Sequence, residues 1–292
     1  MKITPNEEGF GARIYDIDLS KPLTEGQVEE VRQALGKYGV VSFPDQHLEP
    51  VDLKNFSANF GTLEINVAGN YQEPDHPEVM ILSNKIVDGK PIGLADAGQD
   101  WHTDMSYSKE MAFANVLYGI EIPRRDGTPL GCTEFSNMRQ AYRDLPEDLK
   151  RKLEGRTATH DFNKFWEMMR REKGSTRPPL TEEQKAKKPP VSQPVLLTHP
   201  ITGDKVLYAN PGYTVRIDGM DKEESDEILQ FLFQHQLQDK YRYKHLWSEN
   251  DVLMWDNFGT IHNAVADYGP DTPRLIKRCQ VMADKVLAQA AV

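Results

Sequence analysis

His102 and Asp104 stand one residue apart, and a second histidine, His262, follows Asp104 by 158 residues at the end of the run Met254-Trp255-Asp256-Asn257-Phe258-Gly259-Thr260-Ile261-His262. On an extended segment residues i and i+2 project to one face, so His102 and Asp104 can reach the same ion. A third ligand must then come from a distant strand. His262 follows the apolar strand Val252-Leu253-Met254-Trp255 after a short polar connection, so the pattern asks for a fold that lays mid-chain and C-terminal strands side by side.

The remaining patterning is mostly strand-like. Val40-Val41-Ser42-Phe43, Val79-Met80-Ile81-Leu82, Val206-Leu207-Tyr208-Ala209 and Leu275 to Met282 are short apolar or alternating runs divided by Pro, Gly and Asp clusters. Thr24, followed by Val28, Val31 and Leu35, predicts a capped amphipathic helix closing near Gly36. Further helices are expected at Leu53 to Phe60, at Asp144 to Gly155 through Leu149 and Leu153, and at Lys222 to Leu237 with an apolar stripe of Ile228, Phe231 and Leu232. Without regular βαβ alternation, the expected class is mainly β with flanking helices, a jelly roll forming one domain over residues 1–292. Arg170 to Pro194 is rich in Lys, Glu and Pro, which predicts a long surface loop, with residues 163–194 as a lid.

Composition narrows the function classes. No run of 18 apolar residues occurs and Met1 to Glu8 lacks the apolar core of a signal peptide, so a soluble cytoplasmic protein with no membrane association is expected. Cys132 and Cys279 form no CxxC and are expected as free thiols. The formal net charge is −10, and the longest basic cluster, Lys185-Ala186-Lys187-Lys188, is short and followed by two prolines, which argues against a nucleic-acid partner.

Eight histidines among 45 acidic residues in 292 give about one His-x-acid triplet by chance, and three occur, so the triplet alone is weak. His47-Leu48-Glu49 lies between prolines and His76-Pro77-Glu78 contains one; both read as turns. His102-Thr103-Asp104 differs, being embedded in Trp101, Met105 and Tyr107, a setting expected at a buried wall. Two imidazoles and one carboxylate form the facial ligand set of non-haem Fe(II) oxygenases. A zinc hydrolase and a non-catalytic jelly-roll binding protein remain the competing readings at this point.

The strand Arg274-Leu275-Ile276-Lys277-Arg278-Cys279-Gln280-Val281 alternates. Leu275, Cys279 and Val281 share the face that packs on core or helices, which turns Arg274 and Arg278 toward the barrel interior. Buried guanidinium is costly unless an anion meets it, and planar pairing with carboxylate suits arginine well. Two inward arginines therefore ask for two anions or for internal acidic partners.

The chain resembles the taurine and 2,4-dichlorophenoxyacetate dioxygenase family of Fe(II)/2-oxoglutarate enzymes over nearly its whole length. The resemblance is carried by Phe60-Gly61, Trp101-His102-Thr103-Asp104, Gly131-Cys132-Thr133-Glu134-Phe135, His160-Asp161-Phe162, Thr198-His199-Pro200, Trp255-Asp256-Asn257 and the terminal arginines. It implies a cupin-like double-stranded β-helix, with His102, Asp104 and His262 as the iron ligands and catalytic centre. It further implies Arg274 and Thr133 at the distal carboxylate of 2-oxoglutarate, and Arg278 at the anionic group of the primary substrate. Fe(II), 2-oxoglutarate and O2 are the implied cofactor and cosubstrates, hydroxylation of an unactivated C–H bond with release of succinate and CO2 the implied reaction, and a dimer or tetramer the implied assembly. Where the hydroxylated carbon carries a heteroatom, that bond would break.

Departures from the family pattern bear on substrate. Leu130-Gly131-Cys132-Thr133 replaces a Gly-Gly-Asp-Thr turn, Asn66 and Gly69 stand where taurine dioxygenases place histidine and tyrosine, and Gly98 replaces an asparagine. These changes argue against taurine and favour a carboxylate over a sulfonate. Asn66, Met105, Phe162 and Tyr213 are the candidate substrate contacts, and Trp166 with these aromatics suggests an apolar body.

Overall fold

The structure is a computed structural model that describes residues 1–7, 9–65, 71–175 and 178–290. Fourteen strands matter for the site. The larger sheet contains β1 (Lys2–Pro5), β2 (Ala12–Tyr15), β3 (Val40–Phe43), β4 (Gln72–Glu73), β5 (His76–Ser83) and β6 (Ala112–Glu121). The opposing layer is built from β7 (Thr133–Asn137), β8 (Thr157–His160), β9 (Val191–Pro194), β10 (Thr214–Ile217) and β11 (Arg242–His245). Three C-terminal strands, β12 (Val252–Asp256), β13 (Thr260–Ala264) and β14 (Leu275–Met282), return to both layers.

The eight-stranded sheet runs β1-β2-β3-β12-β6-β14-β5-β4, so the last long strand sits next to mid-chain β6. Two three-stranded sheets, β11-β7-β13 and β9-β8-β10, face it, completing the expected jelly roll. Interior packing joins the layers through Met80, Leu82, Leu117, Phe135, Trp255 and Ile276. Outside the large sheet, Val31, Leu35, Leu53 and Phe56 of helices α1 (Glu25–Tyr38) and α2 (Pro50–Ala58) cover Val41, Phe43, Cys279 and Val281. Strand parity on β14 is therefore as the alternation requires: Ile276 inside, Cys279 and Val281 beneath the helices.

Local chemistry explains the boundaries. Thr24 and Gln27 form a reciprocal capping box on α1, and the helix ends at Gly39 (φ 73°), three residues beyond the glycine expected to close it. Gly36 lies inside the helix, where a Cβ would sit 2.7 Å from Ile201 Cγ2, so the glycine there serves close packing and does not end the helix. The helix expected over Asp144 to Gly155 is α4 (Glu147–Leu153), and a separate short helix not expected from the sequence, α3 (Met138–Arg143), capped by Asn137, precedes it, with Pro146 between the two.

Three expectations are corrected. Arg170 to Pro194 is not a structureless loop: α5 (Phe162–Glu172) runs into it, α6 (Glu182–Lys187) has its own Thr181–Gln184 capping box, and β9 pairs with β8. The Lys and Glu residues that read as a surface loop form i,i+3 and i,i+4 pairs on α6, Lys185–Glu182 and Lys187–Glu183. On α7 (Lys222–His235) the buried stripe is Ser225, Leu229, Leu232 and His235, while Phe231 is exposed. His76-Pro77-Glu78 opens β5 rather than forming a turn, its proline lying next to the short edge strand β4.

His160 and His245 are buried, and burial pushes both imidazoles down to about 3. In the unfolded chain each titrates near 6.5, so unfolding takes up protons between those values. Stability is fully present above about pH 6.5 and falls toward pH 3, at a limit of about 1.4 kcal/mol per pH unit per group. Urea midpoints at pH 7.5 and 5 should show this loss, and His160→Gln should show a shallower loss than wild type; an unchanged pH slope contradicts it.

Candidate active site

The segment carrying His102 is held to β13 by two backbone hydrogen bonds: His102 N–H donates to His262 O at 3.0 Å and His262 N–H donates to His102 O at 2.8 Å. A reciprocal antiparallel pair puts the two residues directly opposite each other. Their imidazole centroids lie 4.3 Å apart. Past Thr103 the chain turns, with Met105 in the left-handed region (φ 56°), and Thr103 Oγ1 donates to Asn257 O at 2.7 Å to anchor the bend. Asp104 is thereby brought back, its Oδ1 3.4 Å from His102 Nε2 and its Oδ2 3.8 Å from His262 Nε2.

One donor atom from each of the three residues falls within 4.8 Å of the others. His102 Nδ1 lies 2.7 Å from Asp100 O, which can only accept, so the proton is on Nδ1 and the Nε2 lone pair is free. Burial, and next the adjacent His102, press His262 well below the ordinary imidazole range, keeping it neutral. Burial opposes ionisation of Asp104, yet the charge of Arg278 holds its carboxyl well below the usual range. Asn115 Nδ2 donates to Asp104 Oδ2 at 2.8 Å. Two imidazoles and an ionised carboxylate on one buried face form a donor set that suits a divalent iron.

Support for His262 comes from the β12–β13 turn. Asp256 accepts from the N–H groups of Phe258 and Gly259 and pairs with His199 Nε2 at 2.6 Å, with both side chains fully buried. The Thr198-His199-Pro200 motif therefore acts at the base of the turn that delivers His262.

The interior arginines differ in their partners. Arg278 Nη1 is 3.9 Å from Asp104 Oδ2, and its Nη2 donates to Gln280 Oε1. Arg274 is 8% exposed, its guanidinium packs against Tyr268, and its Nε has no hydrogen-bond partner. No carboxylate among the described residues pairs with Arg274; burial lowers its pKa, with Tyr268 opposing. Gly131 (φ 67°) lies against Arg274, its backbone so close that a Cβ would sit 3.2 Å from Nε. Two residues on, Thr133 Oγ1 accepts from Trp247 Nε1 at 3.1 Å, leaving the hydroxyl proton free to be donated.

Aromatic rings wall the other side. Tyr213 lies 6.0 Å from His102, Tyr107 4.7 Å from Tyr213, and Phe162 4.8 Å from Tyr107, with Lys188 Nζ 4.4 Å above Phe162. Tyr213 thus adjoins the triad, Phe162 follows beyond Tyr107, and Met105 is next to Asp104 in the chain, whereas Trp166 is farther out, packed beyond Phe162 and donating to Pro178 O. Asn66 lies outside the described residues, as does Gly69. Phe165, not singled out from sequence, lies nearest His102, at 4.8 Å; its signal was the i+3 spacing from Phe162 on α5. Asn115 and Gln280 were also missed, although Gln280 continues the interior parity of Arg274, Ile276 and Arg278.

A double-stranded β-helix that gathers two histidines and an aspartate beside inward arginines defines a candidate metal-dependent oxygenase. Comparison with known proteins carries this to a family. The profile of the taurine catabolism dioxygenase TauD, TfdA family matches residues 2–280, and the chain belongs to that family. It is 32% identical over 287 residues to pentalenolactone F synthase of Streptomyces avermitilis, covering 94% of this chain and 92% of that protein. To the alpha-ketoglutarate-dependent 2,4-dichlorophenoxyacetate dioxygenase of a Burkholderia sp. it is 33% identical over 264 residues, 87% and 85% of the two chains. Among solved structures, AAD-2 in complex with Mn(II) and N-oxalylglycine superimposes with a TM-score of 0.80 at 29% identity, covering 97% of each chain. The chain is accordingly a 2-oxoglutarate-dependent dioxygenase, an oxidoreductase that uses Fe(II), 2-oxoglutarate and O2 on a small organic molecule. Among the described residues no helix is long and apolar enough to cross a membrane.

Gly212 packs on the back of His102, where an added Cβ would stand 2.6 Å from His102 Cβ and 3.2 Å from Trp101 O. Gly212→Ala is expected to destabilise the fold by about 1–3 kcal/mol, as overpacking does. Chemical denaturation reads this; a variant as stable as wild type would show that the His102 segment moves freely.

Proposed function

We propose that His102, Asp104 and His262 hold Fe(II), that Arg274 and Thr133 bind the distal carboxylate of 2-oxoglutarate, and that the enzyme hydroxylates an unactivated C–H bond of a small anionic substrate. A carboxylate is favoured over a sulfonate, and one domain spanning the chain does this work. The observation that carries the reading is Arg274: nearly buried, without an acidic partner among the described residues, and with an unpartnered Nε. A buried guanidinium in this state needs an anion brought by a ligand.

Bound iron supplies the redox chemistry that couples oxidative decarboxylation of 2-oxoglutarate, to succinate and CO2, to insertion of oxygen into a C–H bond. The chain's own residues set the outcome by position. Asp100, through its carbonyl, fixes the His102 ring, and Asn115 fixes Asp104. Trp247 occupies one lone pair of the Thr133 hydroxyl, turning its proton outward as a donor to carboxylate. Arg278 holds the substrate anion beside the metal face, while Phe162, Tyr213 and Met105 line the space for its apolar body and keep water out. If the oxidised carbon carries a heteroatom, the hydroxylated product loses that bond. The carboxylate substrate of the 2,4-dichlorophenoxyacetate relative and the replacement of the taurine-type contacts support the carboxylate choice.

Under anaerobic conditions, Fe(II) with 2-oxoglutarate should give a visible metal-to-ligand charge-transfer band, and admitting O2 should form succinate. Asp104→Ala should lose the band, and Arg274→Ala should raise the 2-oxoglutarate concentration for half-formation by ten- to a hundredfold, as expected for loss of a charge-assisted pair. Retained hydroxylation with normal iron content in Asp104→Ala would show the triad to be misassigned.

A further inference from the structure

We infer that Gln280 is a substrate-binding residue, presenting beside Arg278 a second hydrogen-bond donor to the anionic group of the substrate. The inference rests on the reading above in which Arg278 meets that anion, and it adds a contact that reading does not contain.

Gln280 lies on β14 with the same parity as Arg274, Ile276 and Arg278, and directly opposite Asn115 of β6 in the antiparallel register. Asn115 donates to Asp104, so the Gln280 side chain enters the barrel next to the triad. Its backbone is fixed from outside, since Gln280 O accepts from Glu64 N–H at 2.9 Å. The side chain is 5% exposed.

The orientation of the amide follows from its neighbour. Arg278 offers only donors, and Gln280 Oε1 accepts from Arg278 Nη2, so the NH2 group must be at the other corner of the amide. That nitrogen is buried and has no hydrogen-bond partner. Asn115 Oδ1 is also unpartnered, so the two facing side chains leave an open donor and an open acceptor instead of bonding to each other.

Buried donors are seldom left unsatisfied, and one that stands beside an arginine whose own acid contact is a loose 3.9 Å marks a place for an acceptor. Arg278 and Gln280 Nε2 present adjacent donors along one strand edge. A carboxylate offers two coplanar oxygens and can take both, one from each side chain. The glutamine thus serves twice, as an acceptor that aims Arg278 and as a donor to the ligand.

The test uses the full chain with Fe(II) and 2-oxoglutarate, without O2, and four carboxylate probes: phenoxyacetate, 2,4-dichlorophenoxyacetate, 2-phenylpropionate and octanoate. Each is titrated while the shift of the charge-transfer band is followed, in wild type, Gln280→Met, Arg278→Ala and the double variant. Expected is a rise of about tenfold in half-saturating probe for Q280M, in both the parent and the R278A backgrounds, with 2-oxoglutarate half-saturation and iron content unchanged. An unchanged probe response in Q280M overturns the proposal and leaves the proposed function standing. So does an effect that vanishes once Arg278 is gone, which would reduce Gln280 to positioning the arginine. A loss shared by 2-oxoglutarate or iron binding would assign Gln280 to packing or to a structural water and also overturns it. If no probe shifts the wild-type band, the substrate anion at Arg278 falls and the proposal with it; if the band never forms, the dioxygenase site assignment itself fails.

Discussion

Everything at the candidate metal face depends on the two hydrogen bonds exchanged between His102 and His262. They are ordinary backbone bonds, but they cross between segments 160 residues apart and sit at the rim where the layers of the barrel meet. Because each partner both donates and accepts, the register cannot slip by one residue without turning both imidazoles away. The Asp256 turn, the Asp100 carbonyl and the close backbone of Gly212 all act on one or other end of this pair. The geometry of the candidate metal face is therefore a property of strand pairing first and of side-chain rotamers second.

The interior has a second organising constraint, which is an excess of donors. Arg274 Nε, Gln280 Nε2 and Asn257 Nδ2 are all buried without partners. A hydrophobic barrel that keeps such groups is less stable than one lined only by apolar residues, and its polar groups become satisfied when anions enter. A wall of aromatic rings, Phe162, Phe165, Tyr107 and Tyr213, with Lys188 over Phe162, lies beside His102. The site thus sets the donors of β14 apart from the aromatic rings of α5 and the Tyr213 loop, which suits a molecule with a charged head and an apolar body.

How much was legible in the sequence follows the range of the forces involved. The parity of β14 was readable because alternation is local, and it placed Arg274, Arg278 and, unremarked, Gln280 on one face. The three metal-face residues were readable as a pattern with a distant partner, and the aromatic wall was read in part, through Phe162 and Tyr213. What failed was local in another way. Arg170 to Pro194 looked like a long surface loop on composition, yet its charges pair along one helical turn and its end adds a strand to β8. Asn115 gave no signal because it lies in a run buried on both faces, where no alternation marks which side chain meets Asp104.

Helix α5 carries Phe162 and Phe165 on the wall of the cavity, and just past its end Lys173 pairs with Asp100 at 3.4 Å while Ser175 donates to Asp96. Asp100 is the residue whose carbonyl orients His102. One helix therefore bears the surface that would be remodelled to accept a different molecule and braces the residue behind the first metal-face histidine. In evolutionary terms, substrate range and the metal face are not independent modules in this chain. A change of wall that tilts α5 is felt at His102, and so is a change at Tyr107 or Tyr213, whose rings pack on Phe162 and Phe165 of the same helix.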